Sequence, residues 1–190
     1  MTYLSPAKIN LFLHIISKRD DGYHNLQTIF QLLDFYDEIN FSLRDDGKIN
    51  RTSGNEDIPL ADDLMIQSAN KLKKFSDIKS GVDIGIIKKI PSGGGLGGGS
   101  SNAATTLIAL NNLWGLELTK KQLIMIGKDI GADVPVFIEG QSAWAEGIGE
   151  ILHPINLTKY FYLVVSINKQ ISTQEIFSHK ALTMTPVQRK

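Results

Sequence analysis

Residues 91–104 read PSGGGLGGGSSNAA, with six glycines in the seven positions from Gly93 to Gly99. An alternating apolar run, 82–90, precedes this stretch, and a helical pattern, 101–114, follows it. A glycine loop between a strand and a helix lets the backbone approach a ligand, and the free N–H groups of the first helical turn bind anions. The unit therefore predicts a phosphate-binding loop. A flexible linker is the alternative, although Leu96 and the Ser-Ser-Asn-Ala-Ala helix start are not typical of linkers.

Three known phosphate loops can be compared with these glycines residue by residue. The Walker A pattern fails because Ser100 stands where a lysine is required, and the protein-kinase pattern fails because the same serine replaces a valine. The dinucleotide fingerprint is met by Gly93, Gly95 and Gly98, with Glu117 as the acidic residue downstream. Glu117, however, precedes a predicted helix instead of ending a second parallel strand. Dinucleotide binding stays an alternative prediction.

Strand patterns dominate the chain before this loop. Residues 7–16 alternate, so Lys8 and Asn10 are predicted to lie on the same face of one strand. Further strands are predicted over 26–33, 38–43 and, after a hairpin turn at Asp46-Gly47, 48–52.

Helix signals follow. A helix over 63–75 is predicted with Asp62 as its N-cap, and the pair Thr119 and Gln122 forms a capping box that opens a helix over 120–130. Strands are predicted over 142–152 and 160–167. Because strands and helices do not alternate strictly, the order favours an α+β fold with helices packed on a largely antiparallel sheet.

The composition excludes several classes of function. Twenty Lys and Arg balance twenty Asp and Glu among the 190 residues, and this zero net charge argues against a nucleic acid or an anionic membrane as partner. The chain has no cysteine, which excludes disulfides, thiolate metal sites and a cysteine nucleophile. No apolar run approaches the roughly 20 residues of a membrane-spanning helix, and the N-terminus lacks a signal-peptide layout. The sequence predicts a cytoplasmic protein.

The glycine stretch, together with four other segments, resembles the small-molecule kinases grouped with galactokinase, homoserine kinase, mevalonate kinase and phosphomevalonate kinase. The four segments are PAKINLFL (6–13), DGYHNLQT (21–28), GADVPVF (131–137) and AEGIGEIL (145–152). They are most similar to the branch of this family that acts in the non-mevalonate isoprenoid pathway. The resemblance implies phosphorylation of the 2-hydroxyl of 4-diphosphocytidyl-2-C-methyl-D-erythritol, with ATP and Mg²⁺.

The resemblance also implies a domain organisation. Residues 1–152 would form an ATP-binding domain similar to domain 2 of ribosomal protein S5, and 153–190 would begin an incomplete, ferredoxin-like C-terminal domain. The family's third glycine-rich motif is not found in this sequence, which suggests a chain truncated at its C-terminus. A nucleotide-binding fragment without turnover is therefore the alternative function.

The resemblance assigns the catalytic roles to Lys8 and Asp133. Asp133 would accept the proton of the substrate hydroxyl, and Lys8 would pair with Asp133 and with the attacking oxygen. Taken from the residues alone, Lys8 could be a solvated strand residue and Asp133 could cap the turn that follows it. The family assignment predicts instead that these two side chains meet in space.

The remaining site residues are implied in the same way. Asn10 would contact the substrate near its reacting hydroxyl, while Tyr23, His24 and Phe177 would receive the cytidine. No metal ligand is expected among the side chains. The ATP phosphates would be held by Pro91, Ser92, Gly93, Gly94, Gly95, Leu96, Gly97, Gly98, Gly99, Ser100 and Ser101.

Overall fold

One mixed sheet and four helices make up the described part of the chain, which comprises residues 1–158, 160–165, 176–177 and 182–184 of a computed structural model. The elements in order are β1 Thr2–Lys18, β2 His24–Arg44, β3 Ile49–Ser53, α1 Leu64–Ser76, β4 Gly81–Ile87, α2 Gly98–Leu113, α3 Lys120–Lys128, α4 Val134–Glu139, β5 Ala143–Glu146 and β6 Ile151–Pro154.

The strands lie in the order β3-β4-β2-β5-β6, with β1 paired along β2. All pairs are antiparallel except β3 with β4, which are joined through α1 and run parallel. This arrangement confirms the predicted α+β class with a largely antiparallel sheet. After the glycine loop, α2 is followed by α3 and α4 rather than by a strand. The dinucleotide-binding alternative is therefore wrong, because it requires a second parallel strand at that point.

The two strands predicted over 26–33 and 38–43 are a single strand, β2, of 21 residues. The pairing with β1 passes from Pro6 opposite Tyr36 to Ala7 opposite Leu33, so residues 34 and 35 form a bulge. A bulge bends and twists a strand without ending its pairing. The polar residues between the two runs therefore mark an irregularity within one strand, not a turn.

The predicted hairpin at Asp46-Gly47 is also wrong. Gly47 does adopt a left-handed conformation, with φ of 73°. However, β3 does not pair with β2, because β4 occupies that edge of β2 from Glu38 opposite Ile87 to Arg44 opposite Gly81. A turn residue fixes the local change of direction, but the competition among later strands decides the partner.

Helices α1 and α2 pack on the apolar side of the sheet. Their buried residues include Leu72 and Leu107, which join Phe41 and Ile84 of the sheet in one core cluster. Helix α2 begins at Gly98, three residues before the predicted start, so the last glycines of the loop belong to its first turn. The capping box of Thr119 and Gln122 is confirmed at the start of α3.

The end of the chain departs from the predicted strands. Residues 142–152 form two short strands, because Gly147 and Gly149, with φ of 70° and 113°, turn the chain between them. Strand β6 includes residues 153 and 154 and so crosses the suggested division after residue 152, which itself stays a prediction. The predicted strand over 160–167 is wrong for residues 160–165, which pair with none of the described strands and are exposed. Its last two positions lie outside the described residues.

Within the described ranges, none of the helices is both long and apolar enough to cross a bilayer.

The N-cap of α1 is Asp63, not the predicted Asp62. The Asp63 carboxylate accepts a hydrogen bond from the Met65 amide at 2.9 Å, and it forms an ion pair with Arg51 at 3.0 Å. Asp63 is buried and Asp62 is exposed, so only Asp63 can serve both partners.

We expect Asp63→Ala to lower the free energy of unfolding by about 2 kcal/mol, since it removes a helix cap and the carboxylate that pairs with the partly buried Arg51. Asp62→Ala is the matched control and should change it by less than about 0.5 kcal/mol. Urea denaturation followed by circular dichroism measures both values. Equal effects of the two substitutions would contradict this assignment of the cap.

Candidate active site

The glycine loop is anchored by its one apolar residue. Leu96 is only 4% exposed and packs with Ala7 of β1 and with Ile90. Its carbonyl oxygen accepts a hydrogen bond from the backbone N–H of Lys8 at 2.9 Å. Leu96 therefore fastens the loop to the strand that carries Lys8, which explains why a leucine interrupts the glycines.

Gly97 is the N-cap of α2 and allows the closest approach in the site. Its φ of 71° lies in the left-handed region, and a Cβ atom there would lie 2.8 Å from Cζ of Phe137 and 3.0 Å from Cε of Lys8. Its carbonyl oxygen accepts the first bond of the helix, from the Ser101 amide at 2.8 Å. A larger residue at this position would meet both backbone strain and a clash with Lys8.

Lys8 is buried, with 5% of its surface exposed, and its ammonium is nevertheless fully partnered. Nζ lies 3.1 Å from Oδ2 of Asp133 and donates to Oδ1 of Asn10 at 2.7 Å. It also lies 5.2 Å from the centre of the Phe30 ring. A buried ammonium needs such partners, because its transfer out of water is costly. The predicted meeting of Lys8 and Asp133 and the shared face of Lys8 and Asn10 are confirmed as geometry.

Asp133 occupies the N-cap position of α4, but its side chain makes no capping hydrogen bond. The carboxylate points instead to Lys8, and about a third of its side chain is exposed. The alternative that Asp133 caps the turn after it is therefore wrong, because its carboxylate pairs with Lys8 instead. Helix α4 itself is not among the elements predicted from the sequence. Pro135 at the start of a short helix was a signal for it, since proline is tolerated in the first turn.

These groups share one cleft of about 630 Å³. Its lining includes the whole of residues 91–100, together with Lys8, Asn10, Asp133 and Phe177. Ser101 is the exception within the predicted phosphate segment. It is fully buried, and its hydroxyl oxygen accepts a hydrogen bond from Ser5 at 2.9 Å, so it faces the protein interior and not the cleft.

The three residues predicted to hold a cytidine are only partly assembled. His24 is buried and its ring stacks on Phe177, with centroids 5.3 Å apart and an angle of 28° between the planes. Tyr23 is 59% exposed, and its amide donates to Oδ1 of Asp21 at 3.1 Å. The structure thus joins His24 and Phe177 at the edge of the cleft and leaves the Tyr23 side chain largely in solvent.

A second charged pair lies at the loop and is not among the predicted site residues. Asp37 of β2 is fully buried and lies 2.5 Å from Nζ of Lys88, which lines the cleft. Burial alone raises the pKa of the Asp37 carboxyl, but bonds from the Ile90 amide, Lys88, the Lys89 amide and Asn102 outweigh burial and hold that pKa below its ordinary value. No motif marks Asp37, because its partners lie about 50 or more positions away in the sequence.

Comparison with known proteins gives the family. Residues 63–141, which include the glycine loop and Asp133, match the GHMP kinases N terminal domain. The chain is 60% identical over 189 residues to a 4-diphosphocytidyl-2-C-methyl-D-erythritol kinase of Ruthia magnifica and 57% identical to one of Vesicomyosocius okutanii. These alignments cover 100% of this chain.

The chain belongs to the GHMP kinase family.

The solved structures agree with this membership. A crystal structure of a 4-(cytidine 5'-diphospho)-2C-methyl-D-erythritol kinase superposes with a TM-score of 0.73 at 37% identity, over 83% of this chain and 56% of that one. The mevalonate kinase of Methanococcus jannaschii superposes with a TM-score of 0.63 at 16% identity, over 82% of this chain and 56% of that one, and so shares the fold. This GHMP kinase chain spans 66% of the length of both curated relatives named above.

We expect Gly97→Ala to lower the free energy of unfolding by about 1–3 kcal/mol more than Gly95→Ala does, because only the former adds a clash to the strain of a positive φ. Gly95 is the matched control: its φ is 72°, and a Cβ atom there would meet no atom within 4 Å. Urea denaturation of both variants gives the difference. If Gly95→Ala were as unstable as Gly97→Ala, the clash of an added Cβ atom at position 97 with Lys8 and Phe137 would not destabilise the fold.

Proposed function

We propose that the protein transfers the γ-phosphoryl group of ATP to the 2-hydroxyl of 4-diphosphocytidyl-2-C-methyl-D-erythritol. The observation that carries this proposal is the ion pair between Lys8 and Asp133, 3.1 Å apart, in the cleft that the glycine loop lines. The two curated relatives are both 4-diphosphocytidyl-2-C-methyl-D-erythritol kinases, and this similarity supports the choice of acceptor. A cytoplasmic location stays a prediction from the sequence.

The glycine loop would hold the triphosphate. Residues 91–95 and 99 are exposed at the cleft, and the first turn of α2 supplies N–H groups and the positive end of a helix dipole. Ser100, unlike Ser101, lines the cleft and can offer its hydroxyl to a phosphate oxygen. These features fit a bound polyphosphate, which needs many donors and little side-chain bulk.

The donor set fits a Mg²⁺ ion carried by the nucleotide. Among the described residues, no three His, Asp or Glu side chains cluster into a cage for a metal. Mg²⁺ in phosphoryl-transfer sites keeps several waters and binds mainly phosphate oxygens, and it would neutralise charge on the transferring group. The Ser100 hydroxyl, which lines the cleft, would be available to a metal-bound water.

Asp133 and Lys8 have different roles toward the acceptor: Asp133 orients and deprotonates its hydroxyl, and Lys8 stabilises the negative charge. A hydroxyl placed beside Asp133 can donate a hydrogen bond to the carboxylate, which orients the oxygen for in-line attack and takes its proton as the bond to phosphorus forms. The Lys8 ammonium, fixed by Asn10 and Asp133, faces the negative charge that develops on the oxygens. Burial strengthens this interaction, because the local dielectric constant is low.

The stacked pair of His24 and Phe177 supplies the recognition of the base. A pyrimidine can stack on an aromatic ring, and the imidazole can hydrogen-bond to an edge of the base. Tyr23, on the neighbouring position of the chain, would add a second ring when the base is bound. Asn10 remains beside Lys8, where it can contact the acceptor near its reacting hydroxyl.

Lys8→Met and Asp133→Asn should each reduce kcat on the order of 10²-fold or more, because each removes a group positioned on the reacting atoms. Transfer of labelled phosphate from ATP to the cytidine substrate measures the rate. Lys120→Met is the matched control, since its ammonium pairs with Glu139 at 3.1 Å on the surface, and it should keep kcat within about twofold.

The wild-type chain decides between this proposal and a nucleotide-binding fragment. Saturable ATP binding without any transfer would favour the fragment, whereas transfer that needs the cytidine substrate supports the kinase. A variant of Lys8 or Asp133 with wild-type turnover would overturn the assigned chemistry.

Phe177→Ala should weaken the binding of CDP about tenfold, because base–aromatic stacking contributes roughly 1–3 kcal/mol per base. It should leave the affinity for the ATP analogue AMP-PNP unchanged. Isothermal titration calorimetry measures both affinities. Phe75→Ala is the control, since Phe75 is an exposed phenylalanine of α1 that lies outside the cleft lining. Equal CDP affinity in the two variants would exclude Phe177 from the base site.

A further inference from the structure

Asp37 is a buried charged residue that the proposed mechanism does not use. Its carboxylate has no exposed surface and accepts four hydrogen bonds. Oδ1 accepts from the backbone amides of Lys89 at 2.7 Å and Ile90 at 2.9 Å. Oδ2 accepts from Nζ of Lys88 at 2.5 Å and from Nδ2 of Asn102 at 2.9 Å. A buried carboxylate is costly unless it is satisfied to this degree.

The four partners lie on both sides of the glycine loop. Residues 88–90 lead into the loop from β4, and Asn102 lies in the second turn of α2, directly after the loop. One carboxylate of β2 therefore holds both ends of the loop. The network continues from Nδ2 of Asn102 to the Ser5 hydroxyl at 2.9 Å, and Ser5 lies on the strand that carries Lys8.

Lys88 is the member of this network that reaches the cleft. A quarter of its side chain is exposed, and it lines the cleft together with the loop. Its Nζ also donates to Oδ1 of Asn102 at 3.0 Å and lies 3.2 Å from the position that a Cβ atom of Gly98 would take. The ammonium is thus fixed at the first turn of α2, where the loop offers its amides.

We propose that Asp37 is a positioning residue for the nucleotide: it fixes both ends of the glycine loop and holds the Lys88 ammonium at the phosphate cradle. This inference rests on the proposed nucleotide site. Asp37 has no access to the cleft and acts through Lys88 and the loop backbone. Oδ1 carries the contacts with the two amides before the loop, and Oδ2 carries the contacts with Lys88 and Asn102, so a substitution that changes Oδ2 alone tests the second set.

Asp37→Asn keeps the shape of the side chain and one acceptor oxygen for the Lys89 and Ile90 amides, but an NH2 group replaces the charged oxygen that accepts from Lys88 and Asn102. We expect Asp37→Asn and Lys88→Met each to weaken the binding of AMP-PNP with Mg²⁺ about tenfold in isothermal titration calorimetry. The double variant should bind more tightly than the product of the two single effects predicts, because part of the effect of Asp37 passes through Lys88. Lys88→Arg, which keeps the positive charge, should bind AMP-PNP with an affinity within about threefold of the wild type. CDP affinity should not change in any of these variants.

Asp83→Asn is the matched control. Asp83 lies on β4 and pairs with Arg44 of β2 at 2.8 Å, but it is not part of the cleft lining. AMP-PNP affinity in Asp83→Asn should equal that of the wild type, whatever the change in melting temperature. This control separates a general loss of stability from the loss of positioning.

Three results would overturn the inference while leaving the nucleotide site intact: unchanged AMP-PNP affinity in Asp37→Asn, effects of the two single substitutions that multiply in the double variant, or an equal loss of AMP-PNP and CDP binding. If Asp37→Asn does not fold, Lys88→Met decides alone: tenfold weaker AMP-PNP binding with unchanged CDP binding supports the inference, and unchanged AMP-PNP binding overturns it. A wild-type chain that binds no AMP-PNP overturns the proposed nucleotide site and the inference with it.

Discussion

The buried ammonium of Lys8 is the constraint around which the site is organised. An ammonium with almost no exposed surface must have partners, and three different parts of the chain supply them: Asp133 before α4, Asn10 on the same strand and the ring of Phe30 on β2. The glycine loop joins this arrangement through the bond from the Lys8 amide to the Leu96 carbonyl. Loop, lysine and carboxylate are thereby held in one relative position.

Glycine at position 97 follows from the same constraint. The loop must pass so close to the Lys8 side chain that a Cβ atom would contact Cε, and the backbone must take a positive φ to begin α2 there. Close approach of this kind exposes the amides of the first helical turn to the cleft. One backbone conformation at Gly97 therefore both leaves room for the Lys8 side chain and turns the amides of the helix start toward the cleft.

A second network of charged and polar side chains supports the glycine loop. Asp37, Lys88, Asn102 and Ser5 connect β2, the end of β4, α2 and β1 through buried hydrogen bonds. Such a network has discrete geometry, because each polar group must keep its partner in a low dielectric. It connects Lys88, which lines the cleft, to the strand of Lys8, and the stacked pair of His24 and Phe177 lies at the edge of the same cleft.

The short-range features of the molecule follow from the sequence by itself. The strand, glycine loop and helix unit, the capping box at Thr119, the shared face of Lys8 and Asn10 and the α+β class all depend on residues within a few positions of one another. Only the tertiary structure decided that residues 24–44 form one bulged strand, that β3 pairs with β4, that α4 exists, and that Asp37 holds Lys88. Each of these depends on which distant segment competes successfully for a strand edge or a buried charge, and local periodicity contains no information about that competition. The meeting of Lys8 with Asp133 was anticipated through the family resemblance, since nothing in the local sequence of either residue requires it.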